Sequence, residues 1–268
     1  THTTHTTHTH KHAGADLLQN VADALALPLR DEDAWIERVH ALQDLHEMLR
    51  QRNPASWTLL KTALNGALAP LLAAQLADLR SQTVKLACAV GTEAACALGP
   101  AMAPAAATLL PHLLKLLRGA SAQVVVKSAD GCARALVRHT RAPELLPALI
   151  AGATRREVAT ALRASCVLYL NEALAAYAPA ALAPYTDAIG DALGAGLSDA
   201  GPDVRPAARA GFDAYERRHP ALAGRVRAKL SASALRMLAR SAGRSPRGAA
   251  RADGAKPWRS PAATSGED

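Results

Sequence analysis

Aromatic side chains are scarce: one Phe, three Trp and four Tyr serve 268 residues. A core organised around stacked rings is excluded, and Ala, Leu and Val are left to fill it. Ala and Leu lose little side-chain freedom in a helix, so at this density they favour helix. Cysteine is equally sparse. Cys88, Cys96, Cys132 and Cys166 stand far apart in apolar runs and form no CxxC pair, so buried free thiols in a reducing compartment are expected, with no disulfide framework and no metal site. A continuous apolar run is also lacking. The longest, from Leu98 to Leu117, is interrupted by Gly99, Pro100, Pro104, Pro111, His112 and Lys115, which argues against a membrane span. A Gly-rich phosphate loop, a GxSxG elbow and an HExxH pair are missing, and with them the usual carriers of enzymatic chemistry. No catalytic residue, cofactor or small-molecule substrate is expected. His40 and His46, six residues apart, fall on different helical faces, and His139 lies near a helix end; all three read as ordinary histidines. The sequence opens on Thr and shows no charged region followed by an apolar signal, which reads as a fragment with its targeting information elsewhere.

What is present is positive charge, unevenly placed. Residues 1–120 carry 10 Lys/Arg against 10 Asp/Glu, whereas residues 121–240 carry 16 against 10, balances of 0 and +6 within a total of +8. Such a surface attracts an acidic partner, whether nucleic acid, an anionic membrane or an acidic protein.

The ends are unfit for a core. Residues 1–14 open with a His/Thr repeat whose histidines could bind transition metals weakly, and read as a tail; residues 241–268, rich in Gly, Pro, Ser and Ala, read the same way. Between them, residues 15–240 show apolar positions at helical spacing in segments bounded by Pro, Gly, Asn or Asp. One helix is expected near Ala15 to Leu29, and another from Asp33 to Arg50 with Trp35, Val39, Leu42, Leu45 and Leu49 on its buried stripe. Pro54, Pro100, Pro143 and Pro179 each stand where a helix could start. They punctuate the chain at roughly 35 to 45 residues, the length of a HEAT or armadillo helix pair. Tighter breaks fall inside each unit, at residues 30–33, 77–78, 119–121, 153–155 and 198–203. The fold class is therefore all-α, a HEAT-like solenoid of about five repeats. A final helix from Pro220 to Arg240 would cap it, with Leu222, Val226, Leu230, Leu235 and Leu238 inward.

Several strings are familiar in this order. Asp33-Ala-Trp35-Ile-Glu-Arg38-Val-His-Ala41-Leu42 resembles the opening of TOG domains. Asp78-Leu79-Arg80-Ser81-Gln82-Thr-Val84-Lys-Leu-Ala87-Cys88 and Val137-Arg138-His139-Thr140-Arg-Ala-Pro143-Glu-Leu145-Leu-Pro147 resemble the second repeat and the third-to-fourth link of TOG domains in the CLASP (CLIP-associating protein) family. The segment Asp199 to Ala208 resembles that family's fifth repeat. The resemblance covers roughly residues 16 to 240 and implies a paddle-like array whose intra-repeat turns contact tubulin, with a role in stabilising or pausing microtubules. Cytoplasmic, cytoskeletal placement, at spindle or cilium, goes with it. So do a tubulin dimer or lattice as partner and a monomeric domain.

Tubulin's outer surface is acidic, so a ridge that meets it should offer Lys, Arg and an aromatic anchor. Trp35 is the anchor expected in the first turn, its alternative being packing at a helix start. In the second turn Arg80 is flanked by Ser81 and Gln82; Arg80 has a structural alternative in Asp78 or Glu93. The third turn carries Gln123 where the family more often has a basic residue, with Lys127 one helical turn on as a replacement charge. Arg155 and Arg156 mark the fourth turn, where two cations at a helix start would oppose the helix dipole. Arg205 and Arg209 mark the fifth, Arg205 having a structural alternative with Asp199. The later Arg217, Arg218, Arg225 and Arg227 read as a solvated face. The competing reading is a generic HEAT scaffold that grips a peptide or another acidic partner on its concave face. Nucleic acid is disfavoured by the shortage of stacking rings.

Overall fold

The Ala- and Leu-rich segments fold as helices throughout the computed structural model, which describes residues 3–31 and 33–242. Among the described residues there is no strand. Successive helices pair: α1 (Thr3–Leu25) with α2 (Ala34–Arg50); α3 (Trp57–Asn65) and α4 (Leu68–Gln75) with α5 (Ser81–Leu98); α6 (Ala103–Gly119) with α7 (Gln123–Ala135). The series continues with α8 (Leu146–Thr154) against α9 (Thr160–Ala176), and α10 (Pro179–Leu182) and α11 (Thr186–Leu197) against α12 (Val204–Arg218). The second helices stack in the order α2, α5, α7, α9, α12, while α4, α6, α8 and α11 and their lead-in turns form the other layer. One continuous core of Leu, Ala and Val runs between the layers from Leu18 to Leu238. A helix pair of this kind cannot bury its apolar stripe alone, so stacking is what makes each repeat stable.

The prolines work as lead-ins. Pro54, Pro100 and Pro143 fall in short 3-10 turns before α3, α6 and α8, and Pro179 opens α10. Pro111, in contrast, lies inside α6 without ending it, at an exposed position. Residues Ser81–Gly119 are long and apolar enough to cross a membrane, with a mean hydropathy of 1.4. They fold instead as two helices in different layers, because Gly99 adopts φ 54 and ψ −132, a conformation closed to residues with a side chain, and turns the chain back. At the next such corner α7 loosens into a π-type turn, Leu136–Thr140, and stops at Arg141 with φ 51.

Three expectations change. The first helix, expected near Ala15 to Leu29, spans Thr3–Leu25, and from Gly14 onward its first buried side chain is Leu18. Thr1, His2 and the stretch from 243 onward lie outside the described residues, as does Glu32 in the first turn. Trp35 is half-buried, and the buried polar position of α2 is Arg38. The capping helix is two: α13 (Pro220–Lys229) and α14 (Ala232–Ala242) separate where Leu230 turns extended, and Ser231 accepts the Ala234 N–H at 3.3 Å as a new N-cap. Val226 and Leu238 are buried as expected, Leu222 and Leu230 are half-buried, and Leu235 faces outward at 38% exposure.

Arg38 and Asp78 are both completely buried and meet at 2.8 Å. The guanidinium also donates to the Gln75 side chain at 3.1 Å and to the Pro28 and Leu29 carbonyls at 2.6 and 3.3 Å. One side chain thus satisfies the end of the first turn and holds it to the second. Removing one partner of a buried pair leaves the other charge uncompensated, a cost of about 3–5 kcal/mol. Asp78→Ala is expected to lower the stability read from urea unfolding by that amount, whereas Glu47→Ala, which removes an exposed pair with Arg50, changes it by under about 0.5 kcal/mol.

Candidate functional site

Antiparallel pairing puts the five links from first to second helix, residues 26–33, 76–80, 120–122, 155–159 and 198–203, along one edge of the stack. Two of the four joints between neighbouring links carry the same device. Arg163, 7% exposed near the start of α9, donates to both carboxylate oxygens of Asp199 at 2.8 and 2.9 Å. It also donates to the Arg156 carbonyl at 3.4 Å and to that of Val158. Like Arg38, it fills the carbonyls of its own turn while gripping an Asp of the next. Each Asp also shapes its turn: Asp78 accepts the Arg80 N–H at 2.8 Å and Asp199 the Gly201 N–H at 2.7 Å. Gly201 packs so closely that a Cβ there would lie 2.1 Å from the Thr160 methyl. In the first turn Asp31 accepts the N–H groups of Asp33 and Ala34 and caps α2.

Arg163, donating to the carboxylate, holds Asp199 below its ordinary range in spite of burial, with help from the Gly201 N–H. Burial and the same partnership act on Arg163 in opposite directions, and the hydrogen bonds to Asp199 raise it.

On this frame the expected residues fall into distinct environments. Trp35 and Arg80 come together: the guanidinium lies 5.5 Å from the ring centroid, joining the first two turns. Arg80 is further held by Asp78 at 3.8 Å and by the Leu29 carbonyl at 3.4 Å; Glu93 is taken instead by Arg52. Ser81 and Gln82 are the exposed first residues of α5, and Gln123 is the exposed first residue of α7. Lys127 is exposed as well, but shares a groove with Lys85 and His46 on the face of the second-helix layer. Arg155 and Arg156 are exposed side by side, and among the described residues neither has a side-chain ion pair. The expected dipole conflict is absent there. α9 begins only at Thr160, and Arg155 directly follows α8, so both cations sit at a helix C-terminus, where the dipole favours them. Arg205 does not pair with the Asp199 carboxylate; it donates to the carbonyls of Asp199 and Ala200 at 2.9 and 3.0 Å, and Arg163 is the partner of the acid. Arg209 is half-buried, its Nε enclosed without a hydrogen-bond partner. Of the later arginines, Arg227 binds Glu216, Arg225 lies near Asp187, and Arg218 donates to the Leu174 carbonyl.

Sequence reasoning missed an apolar component. Among the described residues the exposed large hydrophobics are Ile36 at 46%, Leu79 at 95%, Val124 at 46% and Leu235, and the first three lie at the first, second and third turns. A signal existed for each. Ile36 is off the stripe of α2, Leu79 is flanked by Asp78 and Arg80, and the run Val124-Val125-Val126 is longer than one helical face can bury. The edge therefore presents apolar groups at its first three turns, with Trp35 and Arg80 beside the first two, and exposed cations at the fourth.

Stacked helix pairs with clamped turns and an outward-facing edge define a helical-repeat scaffold. A family model described as CLASP N terminal matches residues 17–239, and the chain belongs to that family. Among curated relatives, CLIP-associating protein 1 of Xenopus tropicalis and CLIP-associating protein 1-A of Xenopus laevis are each 26% identical over 181 residues, 67% of this chain. The match spans only 12% of the length of either relative. A solved chain from work on microtubule plus-end tracking by XMAP215, CLIP-170 and EB1 superposes with a TM-score of 0.62 at 16% identity, over 79% of this chain and 86% of the other. Another, from work on crescerin, which uses a TOG domain array to regulate microtubules in the primary cilium, gives 0.54 at 19% identity over 76% and 85%. These likenesses bear on the fold, which is that of a TOG domain.

Because the carboxylate of Asp199 is favoured in the folded chain, its contribution is complete above the ordinary carboxylate range and is lost as pH falls through its lowered folded value. Asp199→Asn is expected to cost about 3 kcal/mol near neutrality, the lower end for breaking a buried pair. In urea unfolding as a function of pH, the gap between wild type and variant should hold constant above about pH 5 and narrow as pH drops below about 4.

Proposed function

We propose that the chain is a tubulin-binding domain that engages a tubulin dimer or the microtubule lattice through the row of intra-repeat turns, and so contributes to microtubule stabilisation or the control of microtubule dynamics. The carrying observation is the composition of that edge: Trp35, Ile36 and Leu79 offer exposed or half-exposed apolar area at the first two turns, while Arg155 and Arg156 project unpaired from the fourth. Exposed apolar side chains gathered at neighbouring turns suit a contact surface, and exposed cations suit an acidic one. Membership of the CLASP N-terminal family and the microtubule proteins named for the two similar solved structures support the same partner and a cytoskeletal placement; a cytoplasmic site at spindle or cilium is part of the proposal.

Within the edge the residues divide by task. Trp35 and Arg80 form a stacked, preorganised unit, with Ser81 and Gln82 supplying polar contacts beside it and Gln123 and Val124 extending the edge to the third turn. Arg155 and Arg156 steer and orient. Arg205 chiefly shapes the fifth turn from within, and Arg209 follows it one helical turn on.

Co-pelleting with microtubules and size-exclusion with tubulin dimers test the reading. Leu79→Glu, at a site too exposed to affect folding, and Trp35→Glu should each weaken binding about 30-fold, the scale of a hot-spot residue. Arg155→Glu/Arg156→Glu should weaken it at least about tenfold at low salt, with the difference shrinking as salt screens the charges. Unchanged binding by Leu79→Glu and by the double arginine variant sinks the turn-edge reading.

A further inference from the structure

A second surface lies on the outer face of the second-helix layer. A groove of about 310 Å³ runs between α5 and α7, reached by His46 of α2 and flanked by Lys85, Glu93 and Lys127. Lys85 and Lys127 are the fifth residues of their helices and so occupy equivalent places in consecutive repeats. Both are exposed, and neither enters an ion pair among the described residues. The acid in the groove is compensated, since Glu93 is engaged by Arg52 at 3.4 Å. Its hydroxyls are satisfied internally: Thr92 donates to the Cys88 carbonyl at 2.8 Å and Ser128 to that of Val124 at 2.9 Å. Contact with the Cys88 thiol together with burial keeps the Cys132 thiol of the floor protonated, so the floor adds no negative charge.

Gly131 lies on the floor, exposed in the middle of α7, and a Cβ added to it would meet nothing within 4 Å. A mid-helix glycine costs about 1 kcal/mol relative to alanine. Packing inside the fold does not require it. Its effect is to leave bare backbone on the floor of the groove, one helical turn beyond Lys127, where a side chain would narrow it.

We propose that this groove binds an extended acidic peptide segment crossing α5 and α7, with carboxylates on Lys85 and Lys127. The spacing fits. Packed helices lie about 8–10 Å apart, and a polyproline-II strand, rising about 3.1 Å per residue with three residues per turn, puts residues i and i+3 on one side about 9 Å apart. Acidic residues at i and i+3 are thus matched to the two lysines. Single-stranded nucleic acid fits less well, since no Phe, Tyr or Trp lines the groove to stack a base.

The probe is a fluorescein-labelled peptide of three Glu-Pro-Pro repeats, titrated with the 268-residue chain at low salt and followed by anisotropy. Saturable binding is expected, weakened about tenfold or more by Lys85→Glu and by Gly131→Gln, and unchanged by Arg155→Glu/Arg156→Glu. Gly131→Gln fills the groove from a position with free space, so its thermal unfolding should match or exceed that of wild type, and its microtubule co-pelleting should be retained. Absence of peptide binding by the wild-type chain overturns the proposal, as does equal binding by wild type and Lys85→Glu. A labelled oligouridine bound more tightly than the peptide and lost with Lys85→Glu also overturns it, in favour of a nucleic-acid site. None of these outcomes bears on the turn edge, which is tested separately by Leu79→Glu.

Discussion

An arginine near the start of a second helix, bound at once to the carbonyls of its own turn and to an aspartate of the next, is the interaction on which the edge depends. Arg38 does this for the first and second turns and Arg163 for the fourth and fifth. Turns of this kind leave backbone carbonyls pointing inward with no helix to satisfy them, and a buried cation alone would be expensive. Each clamp offsets both problems together. Because the aspartates also accept an N–H two residues on, the pair fixes the local path of the chain as well as its distance from the neighbouring repeat. The positions of Leu79, Arg80 and Trp35, and the departure of Arg155 and Arg156 from α8, follow from that fixed path.

The two middle joints are built differently. The third link has no aspartate, and at the start of α5 the buried polar residue is Thr83, whose hydroxyl finds no partner. Repeats two to four pack through apolar residues, Ala94, Cys132, Ala133 and Leu136 being essentially inaccessible, and repeats three and four are tied further by Tyr169, which donates to Asp130 at 2.7 Å, and by Arg138, which donates to Glu172 at 2.8 Å. Asn65 adds a polar tie in the first-helix layer, donating to the Ala101 carbonyl at 2.7 Å and accepting the Ala105 N–H at 3.1 Å. Freed from clamping, the early positions of α5 and α7 carry Lys85 and Lys127 outward. The same structural difference that leaves the third turn unclamped thus supplies the cations of the groove.

Much of this was legible in the sequence because it rests on periodicity. Helical spacing, the four prolines and the five polar breaks locate the repeats and put the turns in register, since a break in an apolar stripe can only be a chain reversal in a stack of this kind. The clamps were not read, although their signature is simple: an Arg in the first turn of a second helix and an Asp one repeat later, 40 residues on for Arg38 and 36 for Arg163. Arg205 stood closer to Asp199 in sequence and was paired with it for that reason, whereas the real partner comes from the previous repeat. Contacts between repeats are invisible to a reading that proceeds along one helix at a time. The break at Ser231 was likewise hidden, since Leu222, Val226 and Leu230 keep helical spacing up to it.

The charge excess of the second half looks different once its partners are known. Among the described residues Arg134, Arg138, Arg163, Arg225 and Arg227 face carboxylates, while Arg205 and Arg218 are spent on carbonyls. Several cations behind the formal balance of +6 over residues 121–240 are thus engaged inside the fold. Of the rest, the exposed cations without an ion pair among the described residues are Lys127, Arg141, Arg217 and Arg236 as well as Arg155 and Arg156, and the last two are the adjacent pair that stands at a turn. Placed at the C-terminus of α8, these cations are stabilised by the helix itself, so their outward position needs no partner to persist. Set at the fourth turn, apart from the apolar groups at the first three, the two cations give the edge a chemical asymmetry along its length.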